Sequence, residues 1–467
     1  MYILILESST VSAKAMLYNT VEKTFTTRAK EYEHSEIGLQ DASHVFETTA
    51  ALGRALCHNK KISAIALVST WHNIMLCDMD MTPKSPVYQW TYTGASDLCK
   101  ELRKNKHYTK NYYKKTGCMV NITYAFFNLK LLQQQGQNLK NYKIVGQGTY
   151  NTYKLTGKCV VTDVTVSGAG MLNTHTRNYD DGLMAELGIT KENLATLISY
   201  ENTYPLTAKG ADTLGIKPGI PVIPAMPDGA MNQVGAGALI DGIMTFSIGT
   251  SGAIRLSTPQ PVIPQNPSTW CYLSPTAWIS GAATAGCCNC IDWYKNKFFG
   301  PNISYEQAES GYTKDVEPPI FLPFLFGERC PGWQDNRLGG FFDVKPQHTI
   351  YDFYHAVQEG VLFNLYQCYE ILTKVSGTPH KIKLSGGILN SKKWLGMCAD
   401  IFGVPMALEN AGHASLMGGA VLAMKHLGII DDLHKFEVLN EKIVMPNEKN
   451  LNMYKARYQR YLQWYGA

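Results

Sequence analysis

Residues 224–258 read PAMPDGAMNQVGAGALIDGIMTFSIGTSGAIRLST, and the fold turns on how this stretch is parsed. A buried strand over 221–224 delivers one carboxylate, Asp228, into a turn. Small residues follow at helical spacing. A strand then ends in Gly249-Thr250-Ser251-Gly252, and a second strand returns. A carboxylate at a helix start suits proton abstraction from a hydroxyl, and equally suits a helix N-cap, which Asp favours. A Gly-Thr-Ser-Gly hairpin can turn its backbone N–H groups toward an anion with no Cβ in the way. One base beside one phosphate cradle is the minimal equipment for moving phosphate onto an alcohol.

The N-terminus echoes this arrangement. An apolar strand over 2–6 is turned by Glu7-Ser8-Ser9-Thr10-Val11-Ser12, and a second strand returns over 13–18, with a third run over 24–30. Strand, small polar turn, strand is the order of 245–257 as well. A repeat at half the chain length predicts two hairpins facing each other across a cleft. Ser/Thr/Gly turns between strands also recur by chance.

The chain has 467 residues, too many for one core, and the first of two domains is expected to end near 240 (1–240 and 241–467). Hydrophobic residues make up 45% and charged residues 17%, which suits a soluble globular protein and excludes a disordered one. A net charge of +5 over this length is too mild to argue for nucleic acid. The basic run KELRKNKHYTKNYYKK at 100–115 reads as a solvated helix face. The 12 cysteines have no framework spacing, so Cys287, Cys288 and Cys290 read as core thiols, not metal ligands. The opening MYILILESST has no basic leader, and no stretch reaches membrane-spanning length, so the expected location is cytoplasmic, with no membrane partner.

Further elements follow in order. A helix falls within 38–59 and a buried strand over 62–69, followed by Thr70-Trp71-His72-Asn73. Polar and aromatic residues between buried strands line a pocket as readily as they form structural hydrogen bonds, and His72 stays open between the two. Short strands or helix ends are expected over 143–151 and 158–165. The longest helix covers 352–372, with Gly360 at its centre implying close backbone packing. A strand over 381–384 runs into Ser385-Gly386-Gly387. A Gly/Ala-rich helix is expected over 411–427. The Tyr-rich C-terminal helix, 451–465, suits either core or an interface, and in the latter case a homodimer.

Three signatures in order carry a resemblance spanning nearly the whole chain. FSIGTSGAIR (246–255) looks like the second phosphate loop of the FGGY carbohydrate kinases. FLPFLFGERCPGW (321–333) is similar to their "LPYLxGERxPxW" segment. AVQEGVLFNLYQCYEIL (356–372) with SGGILNSKKWLGMCADIFGVP (385–405) resembles their closing helix and adenosine-binding turn. The wording is nearest to bacterial gluconate kinases, then xylulose kinases. The resemblance implies an α/β fold of two ribonuclease-H-like domains, the superfold of actin, heat-shock chaperone ATPases and sugar kinases, closing on a sugar and Mg2+-ATP. It implies Asp228 as catalytic base and substrate contact. It places Thr10 and Ser12 in the first phosphate hairpin and Gly249, Thr250 and Ser251 in the second, with Gly386 and Gly387 at the adenosine and Trp71 and His72 at the sugar. Glu7 would hold Mg2+ through water.

The chain also departs from the family pattern. Glu7 stands where Asp is usual, and Ser9 replaces the hairpin glycine. The "WxDxR" sugar segment reads Trp90-Thr91-Tyr92-Thr93-Gly94, and the nucleotide-side Asn-Gly-Gly reads Ala285-Gly286-Cys287. These changes describe a rebuilt substrate pocket. The expected activity is ATP-dependent phosphorylation of a primary hydroxyl on an open-chain sugar acid or ketose, gluconate first, then xylulose or another pentulose or polyol. The alternative is a non-catalytic relative that binds nucleotide or sugar. A chaperone-like ATPase would need a peptide-binding domain, for which no residues are left over. Gluconate would want a cation, and the placed stretches offer His72 and Lys130. The Glu328–Arg329 pair could contact ligand or only fix the shape of its loop, and the second is the expectation.

Overall fold

Two mixed sheets repeat one strand pattern in this computed structural model, which describes residues 1–33, 36–240, 242–313, 315–408, 413–438 and 441–467. The first sheet contains β1 (Tyr2–Ser8), β2 (Ser12–Asn19), β3 (Thr24–Glu31), β4 (Ile62–Ser69) and β5 (Pro221–Pro227), in the order β5-β4-β1-β2-β3, with Tyr204–Pro205 outside β5. The second contains β6 (Ile243–Ile248), β7 (Gly252–Thr258), β8 (Trp270–Leu273), β9 (Trp278–Thr284), β10 (Lys381–Ser385) and β11 (Met406–Leu408), in the order β8-β9-β7-β6-β10-β11, with Lys442–Val444 outside β11. In each sheet the opening hairpin is antiparallel and its first strand pairs parallel with a much later one: β1 with β4, and β6 with β10. The next strands also match, β4 parallel to β5 and β10 parallel to β11. The echo between the two hairpins is therefore a repeat of topology.

Composition explains each strand's place. After Tyr2, every residue of β1 is buried, as expected for a central strand covered on both faces, and its run YILIL is correspondingly apolar. β3 reads TFTTRAKE and is exposed almost throughout, which suits an edge whose charges discourage pairing with another chain.

Seven helices concern the site: α1 (Ala42–Cys57), α2 (Gln147–Thr156), α3 (Asp228–Gly235), α4 (Ile350–Ser376), α5 (Lys392–Phe402), α6 (Ala414–His426) and α7 (Glu448–Tyr465). α2 occupies a stretch where short strands or helix ends were expected. Its polar, β-branched residues hide the helical period, and Gly157 ends it in the left-handed conformation (φ 69°). Gly360 lies where a Cβ would meet the Phe321 carbonyl oxygen at 2.3 Å, so α4 touches the neighbouring strand by its backbone. The Gly/Ala-rich helix begins at Ala414; Ala411 lies outside the described residues. Although α6 comes from the second half, it packs on α3, β1 and β4 of the first.

α7 resolves the choice left open by its tyrosines. Tyr454, Tyr458 and Tyr461 are buried, and Arg457 ties the helix to α4 through Glu359 at 2.8 Å. The basic run folds as helices Ser96–Lys104 and Lys106–Thr116, with Tyr112 and Tyr113 turned inward. All twelve cysteines are free thiols, with Cys287 and Cys290 in the core and Cys288 half-buried. Among the described residues, no helix is long and apolar enough to cross a membrane.

Candidate active site

β1, β4 and β5 run parallel, so their carboxyl ends share one edge; β6 and β10 do the same in the second sheet. Ligands of open α/β sheets collect at such edges. Glu7 lies near the end of β1, Trp71 and His72 follow β4, and Asp228 follows β5. Gly249 to Ser251 make the turn after β6, and Gly386 follows β10.

Asp228 is the first residue of α3, one position past the N-cap, which is Pro227. The backbone N–H groups of Trp71 (3.2 Å) and Gly229 (2.8 Å) both donate to Oδ1. No described residue donates to Oδ2. Burial raises the pKa of this carboxyl from its ordinary value and the charge of Glu7 adds to the rise, against the two amides and Arg255, which lower it.

The expected site residues divide between two cavities. A sugar-sized cavity of about 240 Å³ is lined by Thr10, Trp71, His72, Asp228 and Ser251 among others. A larger one of about 910 Å³ is lined by Gly249, Thr250 and Gly387. The second hairpin thus lies between them, with Ser251 on one side and Gly249 and Thr250 on the other. Gly386 lies behind the larger cavity at φ 97°, where a Cβ would meet the Ile248 carbonyl oxygen at 2.4 Å. Only glycine lets this turn seat against the end of β6.

Ser12 lines neither cavity. Its carbonyl oxygen accepts from the N–H (3.0 Å) and the hydroxyl (2.8 Å) of Ser9, closing the first hairpin. Ser9 is not in the left-handed region, so no glycine is required there, and its hydroxyl folds back into the turn. Thr10 points into the smaller cavity and accepts from Trp90 Nε1 at 3.0 Å.

Trp71 is anchored through Nε1 to the Thr165 carbonyl (3.1 Å), and its ring stacks on His72 with centroids 5.7 Å apart. His72 has φ 60°, unusual for a residue with a Cβ and frequent where a side chain must be aimed. Its Nδ1–H donates to the Gly168 carbonyl at 2.5 Å. Burial, with Arg329 and Arg255 nearby, lowers its pKa to about 3, so it is a neutral donor and acceptor, not a cation.

Glu7 is buried at the base of the cleft. Lys14 Nζ lies 3.2 Å from Oε1, and Ser415 Oγ, from α6, donates to Oε2 at 2.5 Å. Among the described residues, no three His, Cys, Asp or Glu gather into a metal cage. Magnesium commonly uses one or two carboxylates and completes its shell with water and substrate phosphate. Glu7 and Asp228, close enough for one charge to perturb the other, fit that donor set.

Sequence reasoning overlooked one cation of the smaller cavity, Arg255, and favoured a loop-shaping role for the other, Arg329. Arg255 sits two residues after Ala253 on β7 and shares its face of the sheet, so period-2 counting from the hairpin would have found it. Lys130 is not part of the pocket: it is paired with Glu186 at 2.5 Å on another surface. The Glu328–Arg329 dipeptide splits its roles. Glu328 holds the loop, accepting from Gly332 N (3.0 Å), Arg337 Nη1 (3.0 Å) and Tyr465 Oη (2.6 Å). Arg329 faces the cavity, its guanidinium 5.6 Å from the Trp90 ring centroid. Tyr272 and Tyr124, joined by a 2.9 Å hydroxyl–hydroxyl bond, back the His72 ring.

Comparison with known proteins gives matches to both halves. Residues 2–235 match the N-terminal domain of the FGGY family of carbohydrate kinases, and residues 244–427 match its C-terminal domain. A gluconokinase of Bacillus licheniformis is 25% identical over 468 residues, covering 95% of this chain and 90% of that protein. A xylulose kinase of Staphylococcus epidermidis is 25% identical, covering 97% and 93%. The crystal structure of gluconate kinase from Lactobacillus acidophilus superposes with a TM-score of 0.94 at 26% identity, over 99% of this chain and 97% of that one.

Proposed function

Because this chain belongs to the FGGY family of carbohydrate kinases, we propose that it transfers the γ-phosphoryl group of ATP to a primary hydroxyl of an open-chain sugar acid or ketose. Gluconate is the first candidate and xylulose the second, as the two kinds of relative suggest. Residues 1–240 would form the sugar-side lobe and 241–467 the nucleotide-side lobe. The observation that carries this reading is Asp228, with one carboxylate oxygen pinned by two amides and the residue itself on the wall of a cavity that also includes Ser251 of the phosphate hairpin.

Asp228 Oδ2 accepts the hydroxyl proton as the substrate oxygen forms its bond to the γ-phosphorus and the bond to the bridging oxygen of ADP breaks. The transition state of such a transfer is loose, so alignment and charge stabilisation do most of the work. The Thr250 backbone N–H and the hydroxyls of Thr250 and Ser251 would face the transferring group, while the Gly249 N–H closes the turn on the Ser251 carbonyl at 3.1 Å. Glu7 and Asp228 would hold Mg2+ through water, and the ion when bound would neutralise phosphate charge. His72, neutral and braced by Gly168, Tyr124 and Tyr272, orients substrate hydroxyls without competing for the proton.

The pH dependence follows from the Asp228 environment. Its protonated form cannot act as base, and burial with Glu7 nearby raises its pKa. The acid limb of kcat/KM should therefore lie above the ordinary aspartate value, with activity lost as pH falls through it. Glu7→Gln removes one raising charge and should move the limb to lower pH in whatever turnover remains. A limb that stays in place would detach it from Asp228.

The direct test is ADP release from Mg2+-ATP, in a coupled assay, against gluconate, D-xylulose, L-ribulose, glycerol and related polyols. One clear acceptor supports the proposal. The binding-only reading draws on Glu7, both of whose oxygens already have protein partners. Silence across the panel with ATP binding intact by calorimetry would favour it.

A further inference from the structure

Three side chains from the two halves of the chain meet outside both cavities, yet each end of the cluster is tied to a wall of the smaller one. Asp335 accepts from Arg103 Nη2 at 2.6 Å and from Asn121 Nδ2 at 2.9 Å. These donors belong to the first half, 232 and 214 positions away. Arg103, in the helix Ser96–Lys104, also donates from Nη1 to the Val120 carbonyl at 3.0 Å, so one guanidinium grips both halves. Asp335, Arg103 and Asn121 all lie outside the stretches that carry the family resemblance, and none lines either cavity.

On the first-half side, Asn121 Oδ1 accepts from Thr123 N at 3.0 Å, and its carbonyl accepts from Tyr124 N at 3.2 Å. These bonds shape the turn that presents Tyr124, whose ring meets His72 edge-on with centroids 5.6 Å apart. On the second-half side, Glu328 N donates to the Gln334 carbonyl at 2.9 Å and Trp333 N to the Arg329 carbonyl at 2.6 Å. A Cβ on Gly327 would meet the Asp335 carbonyl oxygen at 2.2 Å. The segment 327–335 is therefore closed on itself, and a shift of Asp335 is carried to Arg329 on the cavity wall.

The side chains of Arg103 and Asp335 are 16% and 27% exposed, and an ion pair that reaches solvent adds little net stability. Two hydrogen bonds converging on one carboxylate do fix the spacing of the parts they join. Resting on the kinase reading above, we propose that Asp335, held by Arg103 and Asn121, is a positioning residue that keeps the His72 wall and the Arg329 wall of the acceptor cavity in register across the two halves. The larger cavity is lined by residues of the second half alone, from Gly249 to Trp394, and lies beyond the reach of this clasp.

The test is steady-state kinetics of wild type, Arg103→Ala, Asp335→Ala and the double variant, with melting curves and hydrogen exchange on the same four proteins. The acceptor is gluconate, or the fastest substrate of the panel above if gluconate is silent. Each single change should raise KM for the acceptor about tenfold, with KM for ATP within about twofold and kcat within about threefold of wild type. The melting temperature should move by less than about 3 °C. The double variant should stay close to Asp335→Ala and well short of the product of the two losses, because both changes break one contact. Arg103→Ala should also speed exchange of the 327–337 amides, in the other half of the chain. An unchanged acceptor KM or fully additive losses would overturn the proposal. So would a rise in both KM values with a fall in melting temperature, which would make the cluster a purely structural one. If no acceptor is phosphorylated, the kinase reading fails by itself and the exchange experiment decides: faster exchange across the halves upholds the clasp, and unchanged exchange refutes it.

Discussion

Asp228→Asn is expected to lower kcat by about 10²–10⁴-fold while leaving the dissociation constant for ATP near that of wild type. The substitution is nearly isosteric, and the remaining amide oxygen can still accept from the Trp71 and Gly229 N–H groups, so the start of α3 should not move. What is lost is the basicity of the one carboxylate on the wall of the sugar-side cavity. The nucleotide is expected in the other cavity, whose lining does not include Asp228, and this is why ATP affinity should survive. Stability sharpens the expectation. Asp228 is a carboxylate disfavoured by burial and by Glu7, so its neutral replacement should melt at or above the wild-type temperature. Loss of turnover without loss of stability is the signature of a group retained for chemistry. Near-wild-type turnover would remove Asp228 from the role of base, and a collapse in melting temperature would mean that it acts as a structural residue.

The legible parts of this site share one property: they are local. Asp228 at the end of β5 and the Gly249–Gly252 turn are set by neighbours a few residues away, and turn chemistry exposes them in the sequence. The central strand over 62–69 was visible for the same reason, as a short apolar run ended by polar residues. The alternating topology of the two sheets was visible only as an echo between hairpins, because parallel pairing of β1 with β4 joins residues 60 or 61 positions apart. The cations of the pocket were harder. Arg255 reaches the cleft through its register on β7, and Arg329 through a loop held by Asp335 against Arg103, 232 positions away. Helix α2 was obscured by polar residues whose partners lie elsewhere, such as Asn151, which donates to Ser8 Oγ across 143 positions. Glu7 shows the limit most clearly. Its identity suggested a displaced metal ligand, yet its conformation depends on Ser415, 408 residues later. Contacts of that range carry no mark in local composition.

Gly418→Ala should cost substantial stability, and it should reduce turnover beyond what the lost stability alone explains. α6 and α3 touch backbone to backbone. A Cβ on Gly418 would lie 2.1 Å from the Met231 carbonyl oxygen, and one on Gly235 would lie 1.9 Å from that of Ala414. Neither neighbour is a side-chain tip that could swing aside, so the helices must separate. The next residue, Gly419, faces the other way, toward Ile5 Cγ2 of β1 at 2.8 Å. α6 is thus wedged between the strand that ends near Glu7 and the helix that begins with Asp228, and Ser415 on the same helix holds Glu7 directly. Overpacking of this kind costs about 3 kcal/mol at the upper end of its usual range, which lowers an apparent Tm by about 6–12 °C in domains of this size. Because the displaced helix carries the proposed base, kcat should fall at temperatures where the protein remains folded. Gly396→Ala on α5 is the matched control: nothing lies within 4 Å of its would-be Cβ, so the same substitution should be neutral or stabilise by up to about 1 kcal/mol through helix propensity. If the two variants melt alike, the close contact of α6 with α3 does not hold the cleft together, and the spacing of Glu7 and Asp228 must be maintained by the first sheet alone.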